Sequence, residues 1–147
     1  KSPAPDLLFG LTSSMYYKNF DFSFTMRGSL GNYAYNNVAS NNGYYNRVIT
    51  EIIPNNIHTS ALQTGFTSPQ YFSDYYVEDA SFLRMDNITL GYTAKQLKNV
   101  QMRLYGTVQN LFVLTDYSGL DPETNNGIDN NLYPRSRTFI LGVNISL

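Results

Sequence analysis

Thr138-Phe139-Ile140-Leu141-Gly142-Val143-Asn144-Ile145-Ser146-Leu147 is the stretch whose reading decides the fold. Phe139, Leu141, Val143, Ile145 and Leu147 are large and apolar. Thr138, Gly142, Asn144 and Ser146 alternate with them, and Ile140 is the one exception. Side chains alternate across a strand with period two, so this is a strand with one oily face and one small, polar face. A tilted strand of about ten residues is long enough to cross the hydrocarbon core of a bilayer. The same alternation also fits the last strand of a soluble β-sandwich, and on this stretch alone both readings stay open.

Working outward, four more segments show strand character. Phe20 to Gly28 alternates without error, with Phe20, Phe22, Phe24 and Met26 against Asp21, Ser23, Thr25 and Arg27. A helix would scatter these aromatics around its circumference. Leu8 to Tyr17 precedes it across Lys18-Asn19, a two-residue turn candidate. Ala80 to Tyr92 and Val100 to Gln109 complete the set, joined by a short polar turn over 93–99. Within Ala80 to Tyr92 the phase conflicts. Ile88, Leu90 and Tyr92 share a face, but the same parity carried backwards puts Arg84 and Asp86 on it. Either a bulge near Asp86-Asn87 flips the phase, or the upper part of the strand projects beyond the lipid.

The expected strands are therefore about 8–17, 20–30, 80–92, 100–112 and 137–147, with long loops over about 31–79 and 113–136. Short and long connections alternate strictly. Outer-membrane barrels have this pattern, with short periplasmic turns and long extracellular loops. A structureless loop as long as 31–79 would be unusual inside a small soluble domain. Turn chemistry fills it, in Asn36-Asn37, Asn41-Asn42-Gly43 and Pro54-Asn55-Asn56, and a short strand is conceivable over Arg47 to Ile53. In the membrane reading, Phe20, Phe22, Phe24, Met26, Val100, Met102, Leu104, Leu141, Val143, Ile145 and Leu147 face lipid, and Asp21 and Arg27 face a wet lumen.

Composition supports that reading. The 147 residues include 13 Tyr, 9 Phe and only 14% charged residues, which suits aromatic girdles and polar loops. With no Cys, disulfides, thiolate metal sites and thiol nucleophiles are excluded. A net charge of -1 gives no footprint for nucleic acid. No apolar run approaches the roughly 18 residues of a membrane helix. The opening Lys1-Ser2-Pro3-Ala4-Pro5 reads like the middle of a loop, so the chain is expected to be a piece of something longer.

A family resemblance then enters. Tyr76-Val77-Glu78-Asp79-Ala80-Ser81-Phe82-Leu83-Arg84-Met85-Asp86-Asn87-Ile88-Thr89-Leu90-Gly91-Tyr92 resembles the block near the end of SusC/RagA-type TonB-dependent transporters of Bacteroidota. Gln109-Asn110-Leu111-Phe112, Gly119-Leu120-Asp121-Pro122-Glu123 and Tyr133-Pro134-Arg135-Ser136-Arg137-Thr138-Phe139 follow in the family's order. The N-terminal hairpin fits too, and 47–69 is the loosest part. Leu120, where an aromatic is common, is a departure. The ending is similar to the signal read by the bacterial barrel-assembly machinery, through Gly142, Ile145 and Leu147, although Ile140 and the non-aromatic terminus depart.

The resemblance implies an all-β fold: the C-terminal five antiparallel strands, in meander order, of a transmembrane β-barrel of about 22 strands plugged by an N-terminal domain. It implies the outer membrane of a Gram-negative bacterium and import of glycans or peptides, energised through TonB contacts made elsewhere in the parent chain. The implied partners are the rest of the barrel and its plug, a SusD-like lipoprotein lid, and outer-membrane lipid. The alternative is a soluble β-sandwich carbohydrate-binding module.

No enzyme, cofactor or metal site is expected. His58 is the single histidine and lies in a loop, so a Ser/His/Asp site would have to be built around it. Asp121, Glu123, Asn125 and Asp129 suggest calcium, but an EF-hand loop counted from Asp121 lacks its Gly and Glu, having Asn126 and Leu132. A looser oxygen-rich site over 121–129 stays open, beside a polar loop held by Asx turns. Asn87-Ile88-Thr89 and Asn144-Ile145-Ser146 match a glycosylation sequon but fall in expected strands. The loop tyrosines Tyr33, Tyr35, Tyr44, Tyr45, Tyr71, Tyr75 and Tyr76 suit either sugar stacking or, the favoured reading, protein contacts. No individual ligand residue can be named from the sequence.

Overall fold

The computed structural model describes residues 1–49, 54–94, 100–130 and 133–146. It is all-β apart from short helices, and it divides into two compact units. One holds residues 7–30, 82–115 and 135–147, and the other holds 1–6, 31–81 and 116–134.

The first unit is a five-stranded antiparallel sheet. Its strands are β1 (Leu7–Tyr17), β2 (Phe20–Leu30), β5 (Phe82–Thr93), β6 (Gln101–Thr115) and β7 (Thr138–Ser146), in that spatial order. β3 (Tyr33–Tyr35) and β4 (Val77–Asp79) belong to the other unit. Lys18, in left-handed backbone at φ 55, turns β1 into β2, and Tyr17 lands opposite Phe20. The turn between β5 and β6 falls largely on 95–99, outside the described residues, as does the closing residue Leu147.

Residues opposite one another across an antiparallel ladder share a face, so register assembles the two surfaces. One row runs Tyr17, Phe20, Tyr92, Leu104, Val143. The next runs Met15, Phe22, Leu90, Gly106, Leu141, and a third holds Phe24, Ile88, Val108 and Phe139. This face is apolar from β1 to β7. Leu141 is 89% exposed and Phe139 72%, so no second layer covers it. A sandwich would bury these residues in a dry core, whereas here Leu141, Phe139, Val143, Leu104, Leu90 and Met15 all stay exposed.

The conflict of phase in the fourth segment is resolved by a bulge. Thr25 pairs with Asn87 but Met26 pairs with Met85, so Asp86 is the extra residue on β5. Relative to β6 the ladder also jumps, from Asn87↔Gln109 to Met85↔Phe112. A bulged residue reverses the alternation beyond it. Leu83 and Met85 therefore join the apolar face, while Asp86 accepts from Arg27 Nε on the polar one. Of the two readings left open for this strand, the bulge at Asp86 is the one present, and Arg84 does not share a face with Ile88. Arg84 is buried, with its guanidinium 5.7 Å from the Phe82 ring centre.

The second unit is built from the two long connections, and the 31–79 stretch is more ordered than an irregular loop. β3 pairs with β4 through Tyr33↔Asp79, Ala34↔Glu78 and Tyr35↔Val77. Two short helices follow β3, α1 (Asn37–Asn42) and α2 (Ser60–Thr64). Arg47 lies in a 3-10 turn, Tyr45–Val48, where a short strand was considered, and 50–53 fall outside the described residues. Ala34, Ala80 and Tyr117 form a small buried cluster.

Candidate functional site

The polar face of the sheet is one candidate surface, and its row of closest interest is Asp21, Gly91, Tyr105, Gly142. Arg103, one step along β6, donates from Nε to Asp21 Oδ1 at 2.8 Å. Its guanidinium also lies 5.1 Å from the centre of the Tyr105 ring. The two glycines make room for this. A Cβ on Gly91 would fall on the Asp21 carboxylate, and one on Gly142 would fall on the Tyr105 ring. Farther along the face, Arg27 Nε meets both Asp86 oxygens at 3.0 and 2.9 Å. Thr89 and Thr107 hydroxyls lie 2.8 Å apart. The face is thus a network of paired charges and hydroxyls, which suits a wet surface crossing a membrane region.

The loop unit carries the second candidate surface. It is held by Asn36, 1% exposed. Asn36 Oδ1 accepts from the Ala39 amide at 2.9 Å and so caps α1. Its Nδ2 donates to Glu78 Oε1 and to Ser118 Oγ, both at 3.1 Å. Glu78 also accepts from Ser118 N at 2.9 Å and from Ser118 Oγ at 2.8 Å. One side chain therefore ties α1 to β4 and to the 116–134 segment. Sequence reading took Asn36-Asn37 only as turn chemistry; the helix-capping preference of Asn was the signal that could have found it.

A cavity of about 370 Å³ opens beside this network, lined among others by His58, Ser60, Gln63, Tyr75, Tyr76 and Glu78. His58 Nδ1 lies 2.9 Å from Ser60 Oγ and accepts from the Ser60 amide at 3.2 Å. This is a local turn bond at the start of α2. The Glu78 carboxylate is engaged by Asn36 and Ser118, so His58, Ser60 and Glu78 do not form a proton relay.

The acidic loop resolves into separate structural roles. Asp121 Oδ1 accepts from the Glu123 amide at 3.0 Å, an Asx turn. Asp129, 2% exposed, accepts from the Tyr117 hydroxyl at 2.9 Å. Burial and this carboxylate raise the Tyr117 phenol well above its ordinary pKa. Among the described residues, no group of three or more His, Cys, Asp or Glu could hold a metal ion. Asp79 is held below the usual carboxylate range by Ser81, first through its side-chain hydrogen bond and then through its amide, which donates to Asp79 Oδ1 at 2.7 Å. Asn87 and Asn144, the sequon asparagines, both sit in paired strands.

The loop tyrosines divide by task. Tyr35 donates to Ser40 Oγ at 2.7 Å, accepts from the Phe72 amide at 2.8 Å and stacks on Phe72. Tyr76 is buried, edge-on to Tyr75. Tyr45 and Tyr71 stay exposed, and Tyr75, though half exposed, packs edge-on against Phe66 and Tyr76.

No protein-family model matches the chain. It is 47% identical over 156 residues to the TonB-dependent receptor SusC of Bacteroides thetaiotaomicron, covering 99% of this chain and 15% of that protein. It is 32% identical over 173 residues to the TonB-dependent receptor P26 of Formosa agariphila, covering 99% of this chain and 17% of that one. The RagAB peptide importer in its closed-closed state superposes with a TM-score of 0.73 at 23% identity, covering 97% of this chain and 17% of that chain. At that identity the likeness speaks for the fold alone. The resemblance to SusC/RagA-type TonB-dependent transporters thus runs along the whole chain, which spans only 15% to 17% of the length of these curated relatives.

Proposed function

We propose that this chain is the C-terminal segment of the outer-membrane barrel of a SusC-like, TonB-dependent importer. The observation that carries the reading is the open apolar face running from β1 to β7, backed by a face of paired charges. In hydrocarbon every backbone polar group must be satisfied, so only helices and closed barrels span it. Among the described residues β1 pairs with β2 alone and β7 with β6 alone, and five strands cannot close a barrel. The outer edge of β1 pairs with a preceding strand of the parent chain, and β7 pairs with the barrel's first strand.

In this reading the short turns face the periplasm and the loop unit faces outward. The polar face lines a lumen that holds the plug, and a SusD-like lipoprotein covers the loops. Glycans or peptides are the cargo. The chain's own part is mechanical: a wall, a lumen lining and a set of external loops.

The test is purification of the full-length parent protein from outer membranes in mild detergent. The expected product is a heat-modifiable barrel that travels with a lipoprotein. A full-length protein that is soluble without detergent and travels alone would overturn the proposal. Growth of a deletion strain on single glycans or on peptides then separates the two cargo classes.

A further inference from the structure

A smaller cavity of about 200 Å³ lies elsewhere in the loop unit, lined by Asn37, Val38, Asn41, Asn42, Arg47 and Asn130. Its chemistry is one-sided. Among the described residues, four side-chain amides and one guanidinium line it, and no carboxylate does. Arg47 Nε is buried and meets no hydrogen-bond partner among the described residues. A buried cationic donor left without an acceptor is unfavourable, and native structures seldom retain one without a reason.

The amides are already sorted. Asn37 Nδ2 donates to Asn130 Oδ1, which leaves Asn130 Nδ2 as a donor. Asn42 Nδ2 donates to the Val38 carbonyl at 2.7 Å, which fixes that side chain on α1. The backbone beneath is fixed as well. The Asn42 carbonyl accepts from His58 N at 2.8 Å, and Asn46 N donates to the Thr67 carbonyl. The site therefore offers Asn130 Nδ2 and the Arg47 guanidinium as donors, and among the described residues no carboxylate pairs with Arg47. The planar fork of Arg matches oxyanions, and bonds to a charged acceptor are roughly twice as strong as neutral ones.

We propose that this cavity binds an oxyanionic group, a carboxylate or sulfate carried by the ligand that reaches the loops, with Arg47 as its counter-charge and Asn130 as a second donor. The inference rests on reading these loops as the ligand-facing side of an importer. Two sources present such a group: an acidic or sulfated sugar, and the C-terminus of a peptide.

The experiment uses the purified full-length protein and follows hydrogen exchange in peptides covering 37–49. Probes are glucuronate against glucose, glucose 6-sulfate against glucose, and an acetylated tripeptide with a free against an amidated C-terminus. All are matched in ionic strength with sodium chloride. Protection by the anionic member of a pair, and not by its neutral partner, is the expected result, and the responding pair identifies the source. Arg47→Gln should weaken that binding at least tenfold, and Arg47→Lys should recover only part of it because the fork is lost.

No protection from any anion, or equal protection in the Arg47→Gln protein, overturns the proposal. These readouts come from purified protein wherever it resides in the cell, so their failure leaves the barrel reading standing.

Discussion

Asp21 and Arg103 meet across Gly91, the residue that separates their strands on β5. The contact exists because the intervening strand presents no side chain there. Gly91→Ala should push the two apart and destabilise the folded barrel by about 1–3 kcal/mol, as overpacking does. Gly10→Ala is the control, since the nearest atom to a Cβ there is the Met26 carbonyl oxygen at 4.0 Å. The temperature at which the full-length protein loses its folded gel mobility should drop for Gly91→Ala and hold for Gly10→Ala. Equal drops would remove the special role of Gly91.

The two faces make opposite predictions for the same chemical change. Arg in place of Phe22 or Leu104, on the apolar face, should cost about 2–4 kcal/mol near mid-bilayer. Arg in place of Ser23, which sits opposite Thr89 on the polar face, should cost little. The folded fraction after refolding into lipid vesicles checks this, and similar losses at Phe22 and Ser23 would contradict the facing.

Asn36→Ala removes a helix cap and two hydrogen bonds, one of them to a carboxylate. The loop unit should lose about 2–4 kcal/mol. Amide exchange should rise at Ala39 and Ser118 together, because both report on the same side-chain network. A rise at Ala39 alone would mean that Asn36 serves only α1.

Tyr117 sets an alkaline limit. Its folded pKa is raised above the ordinary value of 10.0 by burial and the Asp129 carboxylate, so the folded state disfavours its ionisation. Its contribution is intact below pH 10 and is lost progressively as pH rises above that value. Tyrosinate absorbance should show fewer tyrosines titrating near pH 10 in the folded wild type than in the unfolded chain, because burial raises the Tyr76 phenol as well as that of Tyr117. Tyr117→Phe should shrink that difference, and an unchanged difference would assign the resistant phenol elsewhere.

The acidic limit is set in part by Asp79. Ser81 holds its carboxyl below the usual range, so the stabilisation is present above the unfolded value of 3.8 and is lost as pH falls through the lower folded pKa. Asp79→Asn should flatten the acid limb of a stability–pH curve for the loop unit, whereas an unchanged limb would rule this contribution out.

The sequence by itself determined the all-β class and the two faces of the sheet. Phe20, Phe22, Phe24 and Met26 alternate with Asp21, Ser23, Thr25 and Arg27, and alternation along a strand is a local property that needs no partner to be read. Even the bulge was legible as a clash of phase at Asp86, although parity alone could not choose it over the alternative.

Tertiary structure decided what depends on who lies opposite whom. Asp21 and Arg103 are 82 residues apart, and only the register that puts Gly91 between them makes them a pair. Asn36 and Glu78 are 42 apart, and although capping preference could mark Asn36 as a helix start, nothing local marks its bond to Glu78. That Arg47 Nε is buried without an acceptor among the described residues could not be read at all, because a charge is visible in a sequence while what surrounds it is a fact about space.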